Sequence, residues 1–174
     1  MLRGNKVRLR PFVRSDLGVF QQWTNDEAYN SEYNDFGLKH SGSLERGFNE
    51  EGLLGSRQGL LVIVNMDDQV VGDVSYHQEH YGPNEGSRAY NIGITVAPEH
   101  RGNGYGVEAQ QLLAAYLFAT YPIMRVEAQT DVTNLAEQRA LEKAGFTREG
   151  VLRKAQWRGG AYHDLVVYSK LRGE

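Results

Sequence analysis

The chain has 174 residues, a length that suits one domain of about 100–200 residues. It contains no cysteine, which excludes disulfides, thiolate catalysis and cysteine-based zinc or iron–sulfur sites. With 24% charged residues and a formal charge of -3, it reads as a globular chain and speaks against a nucleic-acid binder.

Residues 6–12 alternate Val7 and Leu9 with Arg8 and Arg10, the period of a strand, and Pro11 sits near its end. Ser15 offers a helix cap, and Leu17, Phe20 and Trp23 follow at helical spacing, which predicts a helix over 16–24. The pattern weakens over 24–59, where six glycines lie between Gly37 and Gly59. Loops and a short helix capped by Ser43 are expected there. The run 60–64 reads as a buried strand, Asp67-Asp68 as a turn and 70–77 as the returning strand. A loop over 81–87 leads to a strand over 88–96, with Tyr90, Ile92, Ile94 and Val96 facing one way. A long helix follows, with Val107, Leu112, Leu113, Leu117 and Phe118 as its apolar stripe and Pro122 as its stop. A strand over 124–130 comes next, then a helix opened by Asn134 and ended at Gly145. Strands over 146–157 and 162–171 surround an Arg158-Gly159-Gly160 turn. The order contains no repeat and no linker, which predicts a single α+β domain over 1–174. No apolar run approaches the roughly 18 residues of a spanning helix. A cytoplasmic protein without membrane contact is expected, and a secreted one with a trimmed leader stays open.

Glycine is over-represented, with 20 of 174 residues. Three of them stand in Arg101-Gly102-Asn103-Gly104-Tyr105-Gly106, between a strand and the long helix. Phosphate binds where several backbone N–H groups converge at the positive end of a helix. Glycines permit that approach and positive φ. The spacing is neither the dinucleotide pattern nor a P-loop. A turn that only reverses the chain is the rival.

With its surroundings, this segment resembles the GNAT superfamily of N-acetyltransferases, and within it the RimJ/RimL-like group that modifies ribosomal-protein N-termini. That family carries an Arg/Gln-x-x-Gly-x-Gly/Ala turn after its fourth strand. Residues 92–100 look like the strand and loop before it. Asn134 through Lys143-Ala144-Gly145-Phe146 is similar to the family's second coenzyme A segment. Gly159-Gly160-Ala161-Tyr162-His163-Asp164 resembles its closing hairpin, and Val7 to Phe12 its opening strand. The resemblance implies a central, mostly antiparallel sheet of six to seven strands. Helices would cover both faces, and the fourth and fifth strands would splay around the cofactor. It implies acetyl-CoA as co-substrate, without a metal. Backbone N–H groups of Arg101, Gly102, Asn103, Gly104, Tyr105 and Gly106 would hold the pyrophosphate, and Arg101 would fold the loop or contact a phosphate. Val96 would pair with the pantetheine arm, and Asn134 would bond the pantetheine, act as a plain helix cap, or both.

The implied reaction is direct attack of an amine on the thioester. Three positions depart from common family patterns: Leu141 stands where many members have a tyrosine, Glu137 where many have a serine, and Asn91 where many have a glutamate. The candidates for proton handling are Glu137, Asn91 holding a water, and His77. Their rivals are a carboxylate complementing the helix dipole for Glu137 and a surface histidine for His77. Metal binding by His77 and His80 is disfavoured, because positions three apart on a strand face opposite ways. Asp26, Glu27, Glu32 and Asp35 with Tyr29, Tyr33 and Phe36 would form the acceptor side, or a solvated acidic loop. Trp157, Arg158 and Tyr162 would wall the same cleft, or Trp157 would be core. A weak site suits an α-amine of pKa about 7.7–8.0 better than a lysine-type amine near 10.4. A protein N-terminus or a small-molecule amine is the expected acceptor. A non-catalytic acyl-CoA-binding regulatory module is the alternative. Monomer and homodimer both stay open.

Overall fold

The alternating segments pair into one eight-stranded sheet of order β1-β2-β3-β4-β5-β6-β8-β7. The computed structural model describes residues 1–174. The strands are β1 (Leu2–Arg3), β2 (Val7–Pro11), β3 (Gln58–Asn65), β4 (Val70–His80), β5 (Arg88–Val96), β6 (Arg125–Asp131), β7 (Thr147–Arg158) and β8 (Ala161–Leu171). Every neighbouring pair is antiparallel except β5 and β6, which run parallel. Six to seven strands were expected, and the sheet has eight; β1, a two-residue strand paired with Leu9 and Arg8, has no apolar alternation of its own to announce it. The α+β class and the antiparallel bias stand as expected.

The helices are α1 (Leu17–Trp23), α2 (Glu27–Asn30), α3 (Ser43–Glu51), α4 (Tyr105–Thr120) and α5 (Leu135–Lys143). Alternation along the strands splits the apolar residues between two faces. Val7, Leu9, Ile63, Tyr76, Tyr90 and Tyr168 pack with Leu113, Leu117 and Leu141 of α4 and α5. On the other face Val62 and Val64 pack with Phe12 and Phe20, and with Trp23, Leu44 and Phe48 from α1 and α3. That second layer covers only the β2–β4 half. No helix is long and apolar enough to cross a membrane.

Local chemistry corrects three expectations. Ser15 does not cap α1. Instead a tight turn over Arg14–Asp16 leads in, and buried Asp16 accepts the Val13 N–H at 2.8 Å and both Arg10 guanidinium arms at 2.7 and 2.8 Å. A carboxylate that meets a planar guanidinium fork outcompetes a hydroxyl cap. Ser43 opens α3 without capping it, since Gly42 holds the cap position. On α4 the buried positions are Ala109, Gln110, Leu113, Ala114 and Leu117, while Val107, Leu112 and Phe118 are half-buried at the edge. Two alanines on the inner face let α4 lie close to the sheet.

The feature that places the site is the β5–β6 pair. Its ladder holds only from Tyr90–Val126 to Ile92–Ala128. Beyond it the strands part, and Ile94 and Val96 are half-buried rather than enclosed. Ala97 N–H bonds Val71 on the β4 side at 2.9 Å. By strand alternation, the peptide groups of Ile94 and Val96 therefore face the gap.

Leu141, the residue at the family's tyrosine position, is fully buried in the core. Leu141→Ala should cost about 2–5 kcal/mol, read as a lower urea midpoint at an unchanged slope.

Candidate active site

The turn between β5 and α4 is built by positive φ at two glycines, Gly102 at 80° and Gly104 at 78°. Gly106 lies inside the first turn of α4 and needs no such conformation. The N–H groups of Gly102, Asn103, Gly104, Tyr105, Gly106 and Val107 have no acceptor within the protein. They form a row of backbone donors at the N-terminus of a 16-residue helix, the arrangement that favours a bound anion.

Arg101 shapes that row. Its Nε donates to Val96 O at 2.9 Å, and its terminal nitrogen donates to Ala28 O at 2.8 Å and Tyr29 O at 3.0 Å. Of the two roles open to it, folding the loop is the one observed. The carbonyl it occupies on Val96 faces the gap, where a continuing ladder to β6 would use it. Asn103 closes the turn by donating to His100 O at 3.0 Å.

A cavity of about 470 Å³ runs from this turn to α5, lined among others by Tyr29, Tyr33, Val96, Tyr105, Asn134 and Glu137. Asn134 caps α5 by accepting the Glu137 N–H at 3.2 Å. Its amide nitrogen donates to no protein group, so the cap leaves a donor for the cavity. Glu137 is half-buried beside Gln110 Nε2, which donates to it. Burial pushes its carboxyl up to about 7, against the opposing pull of that hydrogen bond.

The three proton-handling candidates fall on different sides of the sheet. Glu137 is in the cavity. Asn91 and His77 are cross-strand partners on the opposite face, where Glu127 on β6 is the next residue in the row. His77 is 56% exposed and bonds Glu79 at 3.0 Å, as a surface histidine does. Glu127, which the sequence did not single out, is 1% exposed, accepts Tyr81 OH at 2.5 Å and pairs with Arg125. No group of histidines and acids has metal-ligand geometry.

The acceptor side joins α2 to the closing hairpin. Asp26 caps α2 by accepting the Tyr29 N–H at 2.7 Å. Tyr29 stacks on Trp23 and donates to Asp73 at 2.6 Å. Burial raises the Asp73 carboxyl to about 6, while the tyrosine hydroxyl and Lys39 pull the other way. Buried Arg158 pairs with Asp131 at 2.6 Å and lies against the Tyr33 ring. Burial pushes Asp131 up, but the Thr133 N–H and hydroxyl and Arg158 outweigh it and hold the carboxyl at about 2. Glu27, Glu32 and Asp35 are exposed around a separate hollow that also holds Lys39. Phe36 is exposed as well. Trp157 is not core: it is 59% exposed, edge-on to Tyr162.

Sequence reading also missed Lys6 and Glu108. The Glu108 carboxylate takes the N–H groups of Asn5, Lys6 and Val7 at 2.7–2.8 Å. That grip sets the Lys6 ammonium on Asn103 O at 3.0 Å, behind the turn. Nothing local signals a contact between residues a hundred positions apart.

A model of the acetyltransferase (GNAT) domain matches residues 6–147. The chain belongs to the GNAT family, and it is an N-acetyltransferase. An uncharacterized N-acetyltransferase of Bacillus subtilis, YoaA, is 28% identical over 97% of this chain and 95% of its own length. Among solved structures, spermidine N-acetyltransferase from Vibrio cholerae in complex with CoA and spermine superimposes with a TM-score of 0.79. It is 22% identical, and the match covers 97% of both chains. RimL, a ribosomal alpha-N-protein acetyltransferase in complex with coenzyme A, gives a TM-score of 0.81 at 20% identity, over 97% of this chain and 95% of its own. At these identities the structures establish the shared fold.

A Cβ at position 104 would be strained by its φ of +78° and would meet Lys6 Nζ at 3.0 Å. Gly104→Val should abolish the rise in melting temperature that coenzyme A produces, with the far-ultraviolet spectrum unchanged. The raised Glu137 carboxyl gives a second test. Its folded pKa lies above its unfolded value near 4.5, so its contribution is fully present below about 4.5 and is lost as pH rises through about 7. Glu137→Gln should therefore stabilise the unliganded protein at pH 8 by about 2–3 kcal/mol. The gain should vanish towards pH 4.5 in urea unfolding.

Proposed function

We propose that this enzyme moves the acetyl group of acetyl-CoA to a primary amine by direct attack on the thioester. The observation that carries it is the row of unpartnered N–H groups from Gly102 to Val107, set beside the β5–β6 gap. The residues fit coenzyme A: the amide row suits a diphosphate, Val96 presents peptide groups to an extended pantetheine arm, and Asn134 keeps a donor free beside it. Two structural neighbours are in complex with coenzyme A, which supports coenzyme A as the ligand.

The chemistry needs a proton acceptor, an N–H for the developing oxyanion and a route for the departing thiolate. Backbone N–H at Val96 is assigned to the oxyanion, a type of contact worth about 2.7–4 kcal/mol elsewhere. Glu137 is assigned to the proton. Ionised above about 7, it takes the proton of the attacking nitrogen and passes it to the sulfur as the C–S bond breaks. A carboxyl poised near the working pH suits both transfers, the thiol having a pKa of about 8.5. Asn91 and His77 serve the outer face, where Asn91 orients a water towards the incoming amine.

That pKa selects among acceptors. An α-ammonium near 7.7–8.0 loses its proton to Glu137 almost without cost, whereas a lysine-type or polyamine nitrogen near 10.4 starts about three units uphill. The acceptor this reading favours is an α-amine, on a protein N-terminus or a small molecule.

The test is thiol release across a panel of peptides with free N-termini, amino-acid amides, lysine side-chain amines and polyamines, with mass spectrometry of the product. α-Amines should turn over best, with a rate that rises through pH 7, and Glu137→Gln should lose that rise. Faster turnover of polyamines would overturn the acceptor assignment. Coenzyme A binding without turnover on any amine would replace the enzyme with a regulatory acyl-CoA-binding module.

A further inference from the structure

Two contacts fix Glu137 in the cavity wall. Its backbone N–H donates to the cap residue Asn134 at 3.2 Å. Its carboxyl meets Gln110, which comes from the inner face of α4 and is only 2% exposed. Gln110 Nε2 donates to Glu137 Oε1. The other carboxyl oxygen, Oε2, takes no hydrogen bond from the protein, so it is the one left to a ligand in the cavity.

The Gln110 amide uses only one of its two ends. Its Oε1 is buried and has no partner. An amide can turn either end to a carboxyl. With its oxygen towards Glu137, it would accept a carboxylic O–H and draw the proton onto Glu137 Oε1. With its nitrogen there, it keeps that oxygen an acceptor in both protonation states. The observed orientation therefore leaves the buried carbonyl orphaned rather than the N–H, the fault that protein interiors tolerate more readily.

No charge competes for the Glu137 carboxyl. From the turn and α4, His100 and Tyr105 line the same cavity; from the acceptor side, Tyr29 and Tyr33; from α5, Arg139 and Lys143. None of them bonds Glu137, and Arg101 is spent on carbonyls. The acids of α4 and β6 are answered elsewhere, Glu108 by residues 5–7, Glu127 by Arg125 and Asp131 by Arg158. Burial and the Gln110 hydrogen bond alone act on this carboxyl.

We propose that Gln110 is the positioning residue of the acetyl transfer: it holds Glu137 Oε1 as a permanent acceptor, so that Oε2 carries the proton. This rests on the assignment of Glu137 to proton transfer. As the C–N bond forms, the attacking nitrogen gives its proton to Oε2. As the C–S bond breaks, the departing sulfur takes that proton from Oε2.

Two measurements test it. The first is a carbon-13 NMR titration of the carboxyl groups in the unliganded wild type and in Gln110→Met, which keeps side-chain length and helix propensity but offers no N–H. A hydrogen bond to a carboxylate is about twice as strong as one between neutral groups. The Glu137 midpoint should therefore rise by about one pH unit in the variant. The Asp73 carboxyl, raised to about 6 and bonded to Tyr29, should keep its midpoint if the fold is intact. In the wild type alone, the Gln110 side-chain N–H signals should titrate with Glu137. The second measurement is the pH dependence of thiol release from acetyl-CoA with the amino-acid amide that turns over fastest. Gln110→Met should move the rise in rate up by the same amount, which is about a fivefold loss at pH 7. In a Glu137→Gln background it should change nothing further. Gln110 signals that ignore the Glu137 midpoint, an unmoved Glu137 midpoint in the variant, or an equal loss of rate in both backgrounds would overturn the positioning role. Full rate and pH dependence in Glu137→Gln, or no turnover of any amine, would instead remove the Glu137 assignment and this inference with it.

Discussion

The site depends on one side chain that never needs to touch a ligand. Arg101 bonds the carbonyls of Val96, Ala28 and Tyr29. Each bond closes off a different alternative. On Val96 it caps the edge of β5 that would otherwise be free to extend a ladder with β6, so the gap stays open. On Ala28 and Tyr29 it ties α2 to the turn, which brings the acceptor-side segment next to the cofactor cavity. Because the guanidinium satisfies backbone acceptors, the turn can hold its amides outward without leaving carbonyls unmatched behind it. A buried polar group without a partner costs about 1–3 kcal/mol. Three carbonyls answered by one planar donor are an economical way to fix an irregular loop.

Charge is placed by the same logic of satisfaction and deprivation. Asp131 and Arg158 answer each other at the open end of the cleft, and the aspartate stays ionised far below neutrality. Glu137 is denied any cation, and its carboxyl rises to about 7. Two acids on consecutive elements, joined by the three residues Val132, Thr133 and Asn134, are thereby driven in opposite directions. The first is a strut between β6 and the β7–β8 hairpin. The second is a carboxyl that titrates near neutrality. The difference lies in the partner each one meets rather than in residue type.

Much of this was legible in the residues. Period-two alternation located β2 and β5, because half-buried strands must alternate, and a continuous apolar run located β3, which is buried on both faces. The glycine turn before α4 was legible because its three glycines sit between a strand end and a helix start. Asn134 was legible as a cap because caps are local. What escaped depends on residues far apart in sequence. Neither the Glu108 grip on residues 5–7 nor the Tyr29–Asp73 bond has a local signature. The same holds for caps: Ser15 has the right residue type, yet Asp16 wins because Arg10 comes from the neighbouring strand. The solvent exposure of Trp157 likewise follows from its place in the outermost hairpin, where β7 has no further strand to cover it.

The open half of the sheet gives the fold its asymmetry. Helices α4 and α5 seal one face along its length, while α1 and α3 cover only β2 to β4 on the other. The uncovered floor carries His77, Asn91, Glu127 and Ser169 at matched register across four strands. Of these Asn91, Glu127 and Ser169 are buried. Glu127 is answered by Arg125 and the Tyr81 hydroxyl, and Ser169 by Glu149, as a buried polar row requires. The glycine turn and Glu137 lie on the α4–α5 side, where they line one cavity. The two faces meet where β5 and β6 part, and there Tyr29 and Tyr33 line the same cavity as the glycine turn and Glu137. A protein without cysteine has no thiol to carry an acyl group from one face to the other. Under the direct attack proposed above, the gap takes that place.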